Sequence, residues 1–165
     1  MTTIDRAAPA RQAFFRDPAA PPATVVAPSV FCAARGPAGD LLVVRRRDSG
    51  LWELPGGQVD VGETAEEAGV RETMEEAGLS VVVTGVAGLF TDPGHVVRST
   101  TGVVRQQFVV VLHARAAAGT PHADLQETTE AAWVAVPDLP GLAMELPVRG
   151  YIACALRDDE VAQLS

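Results

Sequence analysis

The stretch GGQVDVGETAEEAGVRETMEEAGL, residues 56–79, holds seven of the 21 acidic side chains of the chain and only one basic side chain. Within it, Thr64 is a suitable N-cap for a helix, because Glu67 follows three residues later and completes a capping box. Gly78 can end the same helix in a left-handed conformation, which glycine adopts without steric cost. These two signals predict one helix over residues 65–77.

Acidic residues are crowded onto one face of this predicted helix. At about 100° per residue, Glu72, Glu75 and Glu76 project from the same side, and each like-charge pair costs about 0.2–0.5 kcal/mol. One interpretation is a solvated face on which Arg71 pairs with a neighbouring carboxylate. The other is that a cation belongs there, because carboxylates and a backbone carbonyl from the LPGG turn (residues 54–57) are the hard oxygen ligands that Mg²⁺ and Mn²⁺ prefer.

The remaining helix positions predict how the helix packs. The side opposite the acidic face is more apolar, and we expect it to cover the core. It consists of Val70, Thr73, Met74 and Ala77. Gly69 lies beside the acidic face, where glycine costs about 1 kcal/mol relative to alanine inside a helix. Its presence predicts that a ligand or another backbone comes close at this point.

Length and composition favour one globular domain. The chain has 165 residues, of which 47% are hydrophobic and 21% charged, so it can bury a core. No apolar run approaches the roughly 18–20 residues that span a bilayer, and residues 1–22 lack the apolar segment of a secretory signal. The net charge of −8 argues against a general nucleic-acid binder. Cys32 and Cys154 have apolar neighbours, and two buried thiols favour a reducing, cytoplasmic location.

The chain divides into an irregular, Ala- and Pro-rich arm over residues 1–24, one domain over residues 25–158 and a tail over residues 159–165. Strands and helices mix in the domain without strict βαβ alternation, which favours a mixed sheet with helices packed on it over a parallel Rossmann-type sheet. We expect the first two strands to form a hairpin, and Pro147 to open a C-terminal helix. The predicted strands cover residues 24–34, 41–46, 79–90, 103–116 and 131–136, with polar loops at 91–101 and 121–130.

The acidic stretch also resembles the Nudix box, GX5EX7REUXEEXGU, in which U is an aliphatic residue. Eight of its nine defined positions match, and Thr73 at the first U position is the departure. The flanking segments WELPGG and AAWVAVPDLPGL are similar to those of Nudix proteins, so the resemblance covers roughly residues 25–157. It implies an α/β/α sandwich with a mixed β-sheet between helices. The matching residues are Gly57, Glu63, Arg71, Glu72, Glu75, Glu76, Gly78 and Leu79.

The resemblance implies a function as well. Nudix proteins mostly hydrolyse a nucleoside diphosphate linked to another moiety, with divalent ions that neutralise the pyrophosphate and activate water. Mg²⁺, with Mn²⁺ as a substitute, would bind the Gly57 carbonyl together with Glu72, Glu75 and Glu76. Glu72 is alternatively the general base. Arg71 and Glu63 would pair and brace the helix against the preceding loop. Nudix proteins often dimerise, so a homodimer is the candidate assembly.

A further catalytic glutamate is expected outside the box. In Nudix hydrolases such a residue often comes from a loop opposite the metal helix, shortly before a strand that carries an aromatic residue. Glu127 and Glu130 precede Trp133 by six and three residues. We favour Glu127 over Glu130, because a loop carboxylate can reach an attacking water more freely than one whose direction is set by the pleat of a strand. Asp124, or no such residue, is the remaining alternative.

Three residues are candidate substrate contacts. Arg45 and Arg47 leave the second predicted strand on one side, and His95 lies in the predicted polar loop. The segment LFTDPGH, residues 89–95, loosely resembles a loop of ADP-ribose pyrophosphatases, which favours an ADP-ribose-like small-molecule nucleotide. The alternatives are a (d)NTP pyrophosphohydrolase acting on oxidised nucleotides and a non-catalytic nucleotide sensor. The second is disfavoured because all box carboxylates are present.

Overall fold

The computed structural model describes residues 11–157 and 162–164. In these ranges the chain forms one mixed sheet and two α-helices. The helices are α1 (Ala65–Ala77) and α2 (Leu146–Ala155), and a short 3-10 helix spans Val136–Gly141. The strands are β1 (Gln12–Phe15), β2 (Val25–Arg35), β3 (Leu41–Arg46), β4 (Trp52–Glu53), β5 (Gly56–Gln58), β6 (Val81–Phe90), β7 (His95–Arg98), β8 (Val104–Ala116), β9 (Thr128–Val134) and β10 (Gln163–Leu164).

Two long strands form the centre of the sheet. β2 and β8 pair in parallel from Val25 opposite Arg105 to Arg35 opposite Arg115. The other edge of β8 pairs with two antiparallel strands, β7 near its start and β6 along the rest. β1 pairs with β7. The mixed sheet is confirmed. The predicted β2–β3 hairpin is reduced to one pair, Arg35 with Leu41, because β5 pairs with Ser29–Phe31 on that edge of β2.

The two helices lie on opposite faces of this sheet. Along β3, Leu41 and Val43 belong to the same buried cluster as Tyr151 of α2. Leu42 belongs to a second cluster with Ala77 of α1. Because successive strand side chains point to opposite faces, this alternation shows that the sheet is sandwiched between the helices, as predicted. Each fully buried Leu or Val side chain contributes about 1.5–3 kcal/mol of hydrophobic stabilisation.

Helix α1 has both predicted end signals. The Thr64 hydroxyl accepts from the Glu67 amide at 3.1 Å, and the Glu67 carboxylate accepts from the Thr64 amide at 2.8 Å. Gly78 adopts φ 65°, and its amide donates to the Met74 carbonyl. A cap of this kind stabilises a helix by about 1 kcal/mol. The limits of α1 follow from these local bonds.

The buried face of α1 differs from the prediction. Met74, expected in the core, is 44% exposed. A Cβ at Gly69 would lie 2.9 Å from Leu112 Cδ1, so this glycine allows close packing on the sheet and makes no room for a ligand. One carboxylate, Glu76, lies within the buried face. The buried residues of α1 are Ala68, Gly69, Thr73, Glu76 and Ala77.

Thr73, the departure from the box pattern, is accommodated inside the core. Its side chain is fully buried, and its hydroxyl donates to the Gly69 carbonyl at 2.7 Å. The Cys32 thiol lies beside it, and burial raises the pKa of this thiol to about 11. Cys154 is buried in the cluster on the other face, and neither cysteine forms a disulfide.

Short strands account for the other differences. The arm predicted as irregular contains β1, the loop over residues 91–101 contains β7, and β9 begins at Thr128, three residues before its predicted start. Four-residue strands lack a long alternating pattern, and here they form by pairing with the sheet edge. Residues 1–10, 158–161 and 165, which belong to the predicted arm, domain end and tail, lie outside the described residues. Where the chain is described, neither helix has the length and apolar composition that crossing a membrane requires.

Candidate functional site

A cavity of about 270 Å³ lies between α1 and the loop that precedes β9. We call it the carboxylate pocket, because five of its six lining residues are acidic and none is basic. Three of the five come from the Nudix-box part of α1 and two from the loop. The lining residues are Glu72, Glu75, Glu76, Asp124, Gln126 and Glu127.

Glu76 is the most deeply buried carboxylate of the pocket, at 3% exposure. Its Oε2 accepts from the Gly56 amide at 2.9 Å. Burial raises the pKa of Glu76 to about 9, and the negative charges of Glu53 and Glu72 add to this shift. A carboxylate in this position favours its neutral form until a positive charge is supplied.

Glu72 lies where the glycine turn meets the helix. A Cβ at Gly57 would overlap the Glu72 carboxylate, so a side chain at this position would displace that carboxylate from its present place. Burial raises the pKa of Glu72, Arg71 opposes the shift, and the charges of Glu75 and Glu127 add to it. Glu127 therefore acts electrostatically on the same part of the pocket as the box residues.

Arg71 ties the helix to the loop before it. Its Nε and Nη2 donate to the two carboxylate oxygens of Glu63 at 2.6 and 3.0 Å, a bidentate geometry that is stronger than a single neutral bond. These bonds hold the pKa of Glu63 below its ordinary value. Its Nη1 also donates to Glu72 at 2.9 Å and Glu75 at 3.1 Å. Arg71 therefore pairs with Glu63 and also contacts two carboxylates of the acidic face.

The donor set fits a hard divalent cation in kind. As the side chains stand, no three acidic, histidine or cysteine residues in the described ranges converge on one metal position. The reason is visible in the hydrogen bonds: Arg71 holds Glu72 and Glu75, and the Gly56 amide holds Glu76. Holding an ion would require these carboxylates to exchange such bonds for metal contacts.

A second cavity, of about 470 Å³, adjoins the first. We call it the arginine pocket. It shares Gln126 and Glu127 with the carboxylate pocket, so one ligand can contact both. Its four arginines outnumber its two carboxylates, Asp48 and Glu127, and the net positive charge suits an anionic group such as phosphate. The basic and hydroxyl residues that line it are Arg11, Arg46, Arg47, Arg105, Ser99, Thr100 and Thr101.

The arginines of β3 point in unexpected directions. Arg45, a predicted substrate contact, lines neither pocket, because its guanidinium donates to Glu130 at 2.7 Å and to the Gly50 carbonyl at 2.9 Å. Arg46, which was not predicted, lines the arginine pocket, where its guanidinium donates to both oxygens of Asp48 at 2.8 and 2.7 Å and to Glu53 at 2.8 Å. The register with β9 shifts between Arg45 and Arg46. The extra residue, Thr129, lies in β9, so β3 itself keeps its alternation. The prediction that Arg45 and Arg47 share a side failed because β3 ends at Arg46 and Arg47 lies beyond it.

Arg47 lines the arginine pocket and also holds the loop that carries Glu127. Its amide donates to the Glu127 carbonyl at 2.8 Å, and its Nη2 donates to the Leu125 carbonyl at 2.7 Å. Arg105, also missed, opens β8 and donates to Gln58. A single arginine at the start of a strand gives no pattern from which this placement could be predicted.

The structure separates the two candidate loop glutamates. Glu127 lines both pockets. Glu130 lies in β9, with 52% of its side chain exposed, and forms an ion pair with Arg45 at 2.7 Å. Of the two, Glu127 is the one that lies with the carboxylates of α1.

His95 lies outside the carboxylate pocket. It belongs to β7 and is 9% exposed, with its Nδ1 3.2 Å from the Tyr151 hydroxyl of α2. Burial lowers the pKa of His95 to about 4, so the ring is neutral at physiological pH. Together with Phe15, Phe90 and Tyr151 it lines a different cavity of about 600 Å³. The geometry does not support the predicted contact with substrate.

Comparisons with known proteins agree with this architecture. A sequence model of the NUDIX domain matches residues 25–154. A Bacillus subtilis (strain 168) protein, whose name includes the words 8-oxo-dGTP diphosphatase, is 49% identical over 53 residues, 32% of this chain and 36% of that protein. The ADP-ribose pyrophosphatase of Methanocaldococcus jannaschii is 42% identical over 65 residues, 34% of this chain and 38% of that protein. The matched segments thus span less than two fifths of either relative.

A solved structure shows the same fold. The crystal structure of an ADP-ribose pyrophosphatase from Streptococcus suis matches with a TM-score of 0.65 and 21% identity, over 84% of this chain and 98% of that chain. At this identity the likeness concerns the arrangement of the sheet and helices.

Proposed function

The chain belongs to the Nudix family, and on that premise we propose that it is an Mg²⁺-dependent hydrolase of a pyrophosphate bond in a nucleoside diphosphate derivative. The observation that carries the proposal is the adjacency of the carboxylate and arginine pockets, which share Gln126 and Glu127. One pocket suits cations and the other suits anions. A pyrophosphate that approaches both needs this combination.

The residues of α1 would hold the cofactor. Glu72, Glu75 and Glu76, with the carbonyl of Gly57, offer hard oxygen ligands of the type that Mg²⁺ selects, and Mn²⁺ is an acceptable substitute. When bound, the divalent ion supplies charge neutralisation for the pyrophosphate and makes water more acidic. The buried Glu76, with its raised pKa, gains most from the positive charge. The ion pair between Arg71 and Glu63 holds the helix against the loop that precedes it.

Glu127 is the proposed general base. Glu127 lines both pockets, and the proposal puts its carboxylate beside a water between the cation ligands and the phosphate contacts. A positioned carboxylate that accepts the proton of an attacking water accelerates hydrolysis by about 10²–10⁴-fold. Glu72 is the alternative base, because it lines the same pocket and its pKa is also raised.

For the substrate we propose an ADP-ribose-like compound, in a cytoplasmic setting. Arg46, Arg47 and Arg105 provide phosphate contacts along the arginine pocket, next to the hydroxyl groups of Ser99 and Thr101. The relative named as an ADP-ribose pyrophosphatase supports this choice. An oxidised (d)NTP such as 8-oxo-dGTP is the second candidate, because the relative named for that substrate is 49% identical over the matched residues.

A substrate panel tests the proposal. The purified chain is incubated with ADP-ribose, other nucleotide sugars, dinucleotides, dGTP and 8-oxo-dGTP in Mg²⁺, and products are identified by mass spectrometry. We expect AMP and ribose 5-phosphate from ADP-ribose. Selective release of pyrophosphate from 8-oxo-dGTP would move the assignment to the second candidate. No turnover of any compound would contradict the hydrolase proposal.

A further inference from the structure

The loop over residues 124–128 is organised around one carboxylate. Asp124 Oδ1 accepts from the amides of Gln126 at 3.0 Å, Glu127 at 3.1 Å and Thr128 at 2.9 Å, and its Oδ2 accepts again from the Glu127 amide at 3.1 Å. Leu125 adopts φ 60°, a left-handed conformation that is uncommon outside glycine, asparagine and aspartate. Three consecutive amides thus point at one side chain.

Asp124 also connects the loop to α1, through Thr128. Thr128 is fully buried, and its hydroxyl lies 3.0 Å from Asp124 Oδ1 and 3.1 Å from the carbonyl oxygen of Glu76. The single hydroxyl proton serves either acceptor. The loop therefore has a fixed contact with the helix turn that carries the buried carboxylate of the carboxylate pocket.

A second anchor holds the loop from the side of β3. The Arg47 amide donates to the Glu127 carbonyl, and the Arg47 guanidinium donates to the Leu125 carbonyl. Backbone groups on both sides of Glu127 are bonded, while no hydrogen bond to its carboxylate is recorded among the described residues. These hydrogen bonds hold the backbone of the loop, and the Glu127 carboxylate stays available for catalysis.

We propose that Asp124 is a positioning residue that holds the 124–128 loop so that Glu127 faces the carboxylate pocket. This inference rests on the proposed role of Glu127 as general base. Asp124 also lines the carboxylate pocket, so a direct role as metal ligand or base is the competing explanation. Its oxygens are already engaged by amides, which favours positioning over direct chemistry.

The positioning role and the direct role as ligand or base predict different effects of replacing Asp124 with asparagine. An asparagine at this position would keep an oxygen acceptor for the three amides but lose the negative charge. Asp124→Asn should therefore preserve a positioning role and abolish a ligand or base role. Asp124→Ala removes both. Asp138→Ala, at an exposed position in the 3-10 helix, is the matched control for losing an aspartate.

Steady-state kinetics test the inference on the substrate identified by the panel. We expect Asp124→Ala to lower kcat by roughly 10-fold with KM within about twofold, and Asp124→Asn to stay within about threefold of the unsubstituted chain. In a Glu127→Gln background, Asp124→Ala should have little further effect, because the group it positions is gone. Equal losses for the Asn and Ala variants, or an undiminished loss in the Glu127→Gln background, would overturn the positioning role.

Amide hydrogen exchange tests the loop without relying on turnover. The amides of Gln126, Glu127 and Thr128 should exchange roughly 10-fold faster in Asp124→Ala, while those of β2 and β8 and those of Asp124→Asn stay near their original rates. Unchanged exchange in Asp124→Ala would overturn the inference even if hydrolysis is found. Faster exchange in a chain that hydrolyses nothing would leave the loop geometry supported and the proposed function contradicted.

Discussion

Glu76 and His95 are both buried ionisable groups, the first in α1 and the second against α2 on the opposite face of the sheet. Burial raises the pKa of Glu76 to about 9 and lowers the pKa of His95 to about 4, so each favours its neutral form. Their neighbours differ. His95 has a neutral hydrogen-bond partner in the Tyr151 hydroxyl and an aromatic neighbour in Phe15, and the charges that act on it, Arg11 and Asp92, are of opposite sign. Glu76 has one backbone amide and two further carboxylates, Glu53 and Glu72, nearby, and the positive charge of Arg46 offsets them only in part.

The difference shows that a shifted pKa alone does not identify a site. A buried group whose needs are met by neutral neighbours is explained by packing. A buried carboxylate among other carboxylates is unexplained until a cation is added. The comparison predicts that substitutions on the α1 side change chemistry, whereas substitutions on the α2 side change stability.

The largest effect is expected at Glu76. Glu76→Gln should lower kcat by at least about 100-fold, because it removes a charge that holds the catalytic ion. His95→Gln should change kcat by less than about threefold. Glu66→Gln, at an exposed position on the same helix, is the control for losing a glutamate. Equal losses at Glu76 and His95 in steady-state assays would break the comparison between the two faces.

The next effect concerns the loop glutamates. Glu127→Gln should lower kcat by about 10²-fold while the thermal stability and the affinity for Mg²⁺ stay nearly unchanged. Glu130→Gln should be close to normal, because Glu130 pairs with Arg45 away from the pockets. Rates and calorimetric Mg²⁺ titrations of both variants check this. A large loss at Glu130 alone would reverse the assignment, and two near-normal variants would leave Glu72 as the base.

A smaller effect is expected for the ion pair between Arg71 and Glu63. Arg71→Lys loses the bidentate contact with Glu63, so the melting temperature should fall by about 2–4 °C and kcat should fall with it, while KM changes little. Thermal melts and kinetics on the same samples measure both quantities. A large rise in KM at unchanged stability would instead make Arg71 a substrate contact.

The smallest effect is a pH dependence of stability, measured by thermal melts in EDTA. The pKa of Glu76 in the folded chain lies above its ordinary 4.5. The free energy of unfolding is therefore highest at low pH and falls as pH rises from about 4.5 through about 9, where folded Glu76 must ionise. His95 has a folded pKa below its ordinary 6.5, so stability is lost as pH falls from about 6.5 through about 4. Glu76→Gln should remove only the first loss and His95→Gln only the second. A single variant that removes both would contradict the separation of the two faces.

Local signals explain which parts of the fold could be predicted. Helix α1 begins and ends where Thr64, Glu67 and Gly78 indicate, because caps are bonds between neighbours in sequence. The long strands β2 and β8 follow from their apolar composition. β1 and β7 could not be predicted, because four-residue strands depend on pairing with each other and with β8.

The candidate site divides in the same way. The box residues Glu72, Glu75 and Glu76 come together because one helix presents them. Arg46 was missed because the prediction continued the alternation of β3 to Arg47, which lies beyond the last residue of the strand. The placement of Arg105 depends likewise on which strand lies beside β2.

The roles of Asp124 and His95 depend on contacts that the sequence pattern does not show. Asp124 was overlooked as an organiser because its partners are amides, which every sequence contains. His95 was misplaced because its partner Tyr151 is 56 residues away.

The central claim is that the carboxylate pocket works with a divalent cation. The most direct test is turnover of the panel substrate by the unsubstituted chain in excess EDTA, followed by addition of excess Mg²⁺ or Mn²⁺. We predict that hydrolysis stops in EDTA and returns with either ion. Full turnover in EDTA would contradict the claim.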